Sequence, residues 1–157
     1  MKHLLLLFCL SCLSAPLYAQ KYDLAVGPRL GTEIGLSAQY RTSKKATLET
    51  ILHSSFLEDL NILAVIYEDH HSIIFRRFNF YSGLGPHFGW YDSRTESTPN
   101  NPVGITALVG IEVTLGRFNI SWDYKPMIHL SGGKRPFNSE TAVTLRHVFI
   151  RRRSNFR

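Results

Sequence analysis

The segment VGITALVGIEVTLGRFNISWDYKPMIHL, from Val103 to Leu130, decides the fold of this chain. Every second residue from Val103 to Leu115 is apolar, and the alternation restarts after Gly116-Arg117. Successive side chains of a β-strand point to opposite faces, so a period of two indicates strands with one apolar and one polar face. We therefore predict a hairpin of two long strands joined by a tight turn at Gly116-Arg117.

Similar alternation, interrupted by turn-forming clusters, divides the rest of the chain into further strands. The predicted strands occupy residues 23–30, 33–41, 46–55, 60–67, a start within 73–77 to 91, 103–115, 118–130 and 141–150. Residues 68–72 are predicted as a polar turn and 131–139 as a loop, whereas 46–60 can also be read as a short helix. Eight strands joined by hairpins predict an all-β, antiparallel up-and-down barrel, because closure removes exposed strand edges.

The beginning of the chain has the pattern of a secretory signal peptide. A basic start is followed by the apolar run 4–13 and by small residues that suit cleavage after Ala19. A lipoprotein signal ending at Cys12 is the alternative. We expect a signal peptide over 1–19, a barrel domain over 20–150 and a basic tail over 151–157. Both cysteines, Cys9 and Cys12, lie in the signal, so the predicted mature chain has no disulfide.

The positive charge is concentrated at the end of the chain. The formal net charge is +6, and removal of Lys2 with the signal leaves +5. Four arginines lie in the last seven residues, at Arg151, Arg152, Arg153 and Arg157. Such a tail suits anionic headgroups or a cell-wall polymer. Nucleic acid is not an expected partner of an exported protein without a recognition motif.

Alternation alone does not say which face meets water. A soluble lipocalin-like barrel buries its apolar face, whereas a membrane barrel presents it to lipid. Long strands, aromatic residues near strand ends, and short turns opposite longer loops all favour the membrane, although the Gly31-Thr32 connection is short on the side of the longer loops.

The polar faces carry four acidic and four basic residues, which suits the interior of a narrow barrel. Buried charges need partners, so we predict an internal ion-pair network in the lumen. A solvated face, or a gate formed around Glu112, Asp123 and Lys125, is the alternative. Arg41 is the eighth charged residue of these faces, and the predicted network consists of Arg29, Glu33, Glu49, Glu112, Asp123, Lys125 and Arg146.

Two segments and the closing strand carry a resemblance to a known class. The segments GLGPHFG (83–89) and ISWDYKP (120–126) and the strand AVTLRHVF (142–149) resemble small eight-stranded bacterial outer-membrane β-barrels of the OmpA/OmpX-like kind. The resemblance implies an outer-membrane location, contact with outer-membrane lipids and the barrel-assembly machinery, and an assembly-signal-like role for Phe149. The class usually ends at this aromatic residue, whereas seven residues follow the closing strand here.

Histidines offer the remaining candidate chemistry. His70 and His71, beside Glu68 and Asp69, could bind a metal in a turn, and a solvated turn is the preferred interpretation. His87, His129 and Ser131 could serve a lipid-modifying barrel enzyme, but no local catalytic signature is present. We therefore predict a monomeric, non-enzymatic protein without cofactor or metal. A soluble periplasmic ligand-binding barrel and a lipid-modifying enzyme are the alternatives.

Overall fold

The computed structural model describes residues 22–43, 45–55, 59–72, 78–92 and 100–151. Consecutive strands pair antiparallel, and β1 pairs with β8, which closes the sheet into a barrel. The predicted all-β, up-and-down, eight-stranded fold is therefore confirmed. The strands are β1 Tyr22–Gly31, β2 Ile34–Arg41, β3 Ala46–Ser55, β4 Leu60–Ser72, β5 Phe78–Tyr91, β6 Val103–Leu115, β7 Phe118–Ser131 and β8 Phe137–Arg151.

The hairpin of β6 and β7 has the two faces that its sequence predicts. Buried positions alternate with exposed or half-buried ones along both strands. Val103 and Trp122 are on the outer surface, with 45% and 54% of their surface exposed, whereas Glu112 and Asp123 point inward. The turn contains Gly116 at a φ of 65°, a left-handed conformation that glycine adopts without strain.

The strand predicted over 46–55 is present with these bounds, and its alternative interpretation as a short helix is wrong in the described part, because β3 forms a complete ladder with β4. Two other local predictions are wrong. The polar residues 68–72, predicted as a turn, extend β4 and pair with β5. Strand β8 begins at Phe137, four residues before its predicted start, and pairs there with β7. In both of these segments, the polar side chains that suggest a connection belong to a strand whose inner face is polar. The predicted start of strand five within 73–77 lies outside the described residues.

The up-and-down order gives the barrel two different ends. The loop end carries the connections that follow β1, β3, β5 and β7, and the turn end carries those that follow β2, β4 and β6. The β1–β2 connection is the tightest at the loop end, where Gly31 N–H donates to Glu33 O at 3.1 Å. No helix within the described residues is long and apolar enough to cross a membrane.

The inner face of the sheet is a dense mixture of polar and apolar side chains. A small cluster of Ile51, Ala64, Ile66, Tyr81 and Leu108 packs inside the wall formed by β3 to β6. Gly110 leaves space for the Tyr81 ring, since an added Cβ would lie 2.7 Å from Tyr81 Cζ. Most other buried positions are polar or charged, so the candidate functional residues lie in the lumen.

Candidate functional site

Inward positions of the strands place the charged residues of this chain inside a narrow tube. Eight strands enclose a space that side chains fill, so the partner of a buried charge must be another protein group. The buried charged residues other than histidine comprise five carboxylates and three permanent cations in the described part of the chain, namely Glu49, Glu68, Glu112, Asp123 and Glu140 with Arg29, Lys125 and Arg146.

The central pair joins Arg29 of β1 to Asp123 of β7. Arg29 Nη2 lies 2.5 Å from Asp123 Oδ1, and Nη1 lies 2.8 Å from Oδ2, so the guanidinium binds the carboxylate in a bidentate manner. The Tyr81 hydroxyl donates a third hydrogen bond to Asp123 at 3.0 Å. Both charges are buried, and this geometry satisfies the carboxylate without water.

The second group surrounds Arg146 of β8, nearer the turn end. Its guanidinium forms a salt bridge with Glu49 of β3 and donates to the Ser37 hydroxyl at 2.6 Å. The same guanidinium donates to Asn119 Oδ1 at 3.1 Å and to Ser121 Oγ at 2.9 Å. A single side chain of β8 thereby ties β2, β3, β7 and β8 together across the lumen.

His70 lies beside this group, between two carboxylates. Its Nε2 is 3.2 Å from Glu68 Oε2, and its Nδ1 is 3.2 Å from Glu112 Oε1. The ring also stacks on Tyr81, with 5.3 Å between the centroids. Asn119 donates to Glu112 Oε2 at 2.9 Å, which links His70 to the surroundings of Arg146.

The loop-end cluster consists of Glu33, His53, Lys125 and Glu140. His53 Nδ1 contacts Glu33 and lies 3.1 Å from Glu140 Oε1. On the other side, Lys125 Nζ is 2.9 Å from His53 Nε2 and 2.9 Å from Glu140 Oε2. These contacts join β3, β7, β8 and the β1–β2 connection at the mouth of the barrel.

The seven residues of the predicted ion-pair network fall into these three groups. Six of them are buried, and Glu33 is half-buried at the loop end. Arg29 pairs with Asp123 and Arg146 pairs with Glu49, but Glu112 contacts His70, and Lys125 contacts Glu140, neither of which was predicted. The predicted equality of acidic and basic charge is wrong, because the lumen also contains Glu68, which is predicted in a turn, and Glu140, which precedes the predicted start of strand eight.

The lumen residues that the sequence analysis did not predict can be recognised from the alternation of the strands. Continuing the period of two beyond residue 67 places Glu68 and His70 on the same face as Ile62, Ala64 and Ile66. His53 already lies on the polar face of strand three. Extending the two strands at their polar ends would therefore have found these side chains, although it would not have identified their partners.

The adjacent histidines of β4 do not form a joint site. His70 is buried in the lumen, whereas His71 points outward and its Nε2 is 3.6 Å from Asp69. They cannot bind one ion, because adjacent residues of a strand face opposite sides. The interpretation of both as a solvated turn is also wrong, because His70 is in a strand and 6% exposed.

The candidate catalytic histidines contact each other. His87 Nε2 is 2.9 Å from His129 Nδ1, and His87 Nδ1 is 2.8 Å from the Thr106 hydroxyl. Both ring nitrogens of His87 are therefore engaged, so neither is directed at the exposed Ser131. Phe149 lies on the outer surface of β8, with 62% of its surface exposed, near the turn end.

The comparisons with known proteins agree with this architecture. The sequence matches no protein-family model and no curated protein. Among solved structures, the N-terminal β-barrel domain of Pseudomonas aeruginosa OprF is similar, with a TM-score of 0.66 and 9% sequence identity. The alignment covers 83% of this chain and 99% of that domain. The chain has the fold of that barrel domain. The predicted resemblance to small outer-membrane barrels is thus confirmed for the fold.

Breaking the central pair should destabilise the barrel more than removing both charges. We expect Arg29→Met to lower the free energy of unfolding by about 3–5 kcal/mol, because Asp123 is left as an unpaired buried charge. The double variant R29M/D123N should recover most of this loss, since the asparagine that replaces Asp123 would still accept from Tyr81 and no net charge is stranded. Urea unfolding of refolded barrels, followed by tryptophan fluorescence, measures the difference. Equal losses in the single and double variants would contradict the coupling.

The two neighbouring histidines of β4 provide a matched comparison. We expect His70→Ala to lower the free energy of unfolding by about 1–3 kcal/mol, because the buried carboxylates of Glu68 and Glu112 lose the imidazole that lies between them. His71→Ala should change it by less than about 0.5 kcal/mol, since that side chain is exposed and its ion pair is weak. The same unfolding assay measures both, and a larger effect of H71A would show that the register of β4 is wrong.

Proposed function

We propose that this chain is a non-enzymatic outer-membrane protein whose barrel crosses the bilayer and has a structural or surface-interaction role. The observation that carries the proposal is the inverted polarity of the barrel. Its outward faces carry large apolar side chains on all eight strands, whereas charged and polar residues are buried within. Water would penalise the large exposed apolar surface, whereas lipid stabilises it and leaves the polar groups enclosed in the lumen.

The apolar outer surface is continuous around the described barrel. It includes aliphatic residues at mid-strand. Aromatic residues such as Tyr40, Tyr67, Phe118 and Trp122 lie in the half of the barrel nearer the turn end. Aromatic rings prefer the membrane–water interface, where they combine an apolar body with a polar edge. A soluble barrel that binds an apolar ligand would require the reverse arrangement, with the apolar face inside.

The lumen supports a role without a wide pore. The central pair and the Arg146 group fill its interior, since Arg29 of β1 pairs with Asp123 of β7 and Arg146 of β8 pairs with Glu49 of β3. In the Arg146 group the Ser37 hydroxyl donates to Glu49, but it also accepts from Arg146 Nε and is fully buried, so it is not presented to a substrate. We therefore assign the charged lumen residues to holding the walls together.

The proposed environment sets the expected partners. Outer-membrane lipids would contact the apolar surface, and the barrel-assembly machinery would insert the chain, with Phe149 as part of its signal. The monomer is the proposed state, because a closed barrel presents no free strand edge for pairing. We also propose that the basic tail contacts anionic headgroups or cell-wall polymer. Residues 152–157 of this tail lie outside the described part of the chain.

Cell fractionation tests the location directly. We expect the full-length chain, expressed in a Gram-negative host, to appear in the outer-membrane fraction and to need detergent for extraction. It should also migrate differently in detergent gels before and after boiling, because the closed barrel resists unfolding until heated. Recovery in the periplasm without detergent would contradict the proposal and favour the soluble barrel.

Substitution of outer-surface residues by arginine tests whether lipid or water surrounds the barrel. In a bilayer, Val109→Arg, at the middle of β6, should reduce stability by about 2–4 kcal/mol, whereas Leu115→Arg, next to the turn, should cost about 0–1 kcal/mol. In water both substitutions would be nearly neutral, because both side chains are exposed. Unfolding in phospholipid vesicles measures the contrast, and equal small effects would refute insertion.

A further inference from the structure

We propose that the loop end of the barrel binds a divalent transition-metal cation, of the zinc class, through Glu33, His53 and Glu140. One ligand atom from each residue lies within 4.8 Å of the other two. The three residues come from the β1–β2 connection, β3 and β8, so the site exists only in the closed barrel. The proposal does not depend on the membrane in which the barrel resides.

The positions of the donor atoms suit a single ion. His53 Nδ1 and Glu140 Oε1 are 3.1 Å apart, and Glu33 Oε2 is in contact with the same nitrogen. Two ligands that each lie about 2.0–2.2 Å from a zinc ion at tetrahedral or octahedral angles are separated by roughly 3 Å. To bind the same ion, the side chain of Glu33, which is half-buried in the β1–β2 connection, would rotate outward from its contact with His53 Nδ1.

The hydrogen bonding of the cluster shows that one donor is missing. Lys125 Nζ is 2.9 Å from His53 Nε2, and an ammonium group can only donate, so Nε2 accepts and the ring proton lies on Nδ1. This one N–H faces carboxylate oxygens of both Glu33 and Glu140. Glu140 Oε1 accordingly accepts no hydrogen bond from the described residues, although Glu140 is only 3% exposed. A buried oxygen in this state needs a cation or a donor.

The local charge also favours a cation. Glu140 pairs with Lys125, and the buried carboxylates of the described lumen outnumber its buried arginine and lysine side chains. One imidazole nitrogen with two carboxylate oxygens is a donor set for borderline ions such as Zn²⁺, whereas Mg²⁺ and Ca²⁺ prefer oxygen ligands alone. Three protein ligands leave a coordination position for water.

An approach to the cluster is present beside the short β1–β2 connection. Glu33 is half-buried there, whereas His53 and Glu140 are buried further in. An ion would therefore reach the cluster from the loop end, past Glu33.

Lys125 would compete with the metal ion. Coordination through Nδ1 requires the ring proton to move to Nε2, so the total number of protons on the imidazole is unchanged. Lys125 must then give up its contact with His53, but it keeps Glu140 Oε2, which is 2.9 Å away. Removing this ammonium should strengthen metal binding, which is the opposite of what a residue that merely supports the fold would do.

Calorimetric titration of ZnCl₂ into the chelator-treated, untagged barrel in detergent micelles tests the site. We expect one ion per chain in the unmodified protein. Glu140→Gln and His53→Gln should each weaken binding at least about tenfold, and Lys125→Gln should strengthen it several-fold. His71→Ala, which removes an exposed histidine at the turn end, is the control and should bind as the unmodified chain does.

The remaining outcomes decide the matter. Absence of zinc binding, or binding that E140Q leaves unchanged, overturns the proposal, and so does a loss of binding in H71A. Circular dichroism of each refolded variant shows whether it forms the barrel. If H53Q or E140Q does not fold, Glu33→Gln replaces it, because Glu33 lies at the rim and should weaken binding without collapse of the lumen. Unchanged binding in a folded E33Q variant likewise overturns the site.

Discussion

The ladder between β1 and β8 is the constraint on which the rest of this structure depends. It closes the sheet after eight strands, which leaves no edge that would need water or another chain to satisfy it. Closure at this number also fixes the lumen to a width that side chains fill. Charged residues at inward positions must then reach partners on other walls. Arg29 and Asp123 connect β1 with β7, and Arg146 and Glu49 connect β8 with β3.

Much of the fold could be predicted from the sequence because alternation and closure are local and general rules. The alternation of apolar and polar residues in the β6–β7 hairpin predicts its outward and inward faces, and the structure has the same two faces. The partners inside the lumen could not be predicted in this way. Which inward residues meet depends on the stagger of the strands around the barrel, and a period of two contains no information about that stagger. Thus Glu112 could be assigned to the lumen, but not to His70.

Polarity misled the prediction at the ends of strands for a single physical reason. In a soluble protein a polar run such as 68–72 signals a connection, since backbone there meets water. In this barrel, polar residues also belong inside, so β4 and β8 extend further than their sequences suggest. The histidines gain their importance from the same arrangement. With more buried carboxylates than permanent cations, His53 and His70 supply donors where arginine or lysine does not reach.

Strand β4 differs from the other strands in what fixes its alignment. Its central part is apolar on both faces, and Glu68, Asp69, His70 and His71 supply an acid and a histidine to each side. A register shift of one residue would therefore exchange chemically similar side chains between the two faces, so polarity does not specify the register of this strand. Shape can do so, because Ile66 packs against Gly83 and next to Gly85, where any Cβ would collide with β4. The two glycines of β5 thus determine which set of alternating β4 side chains faces the lumen.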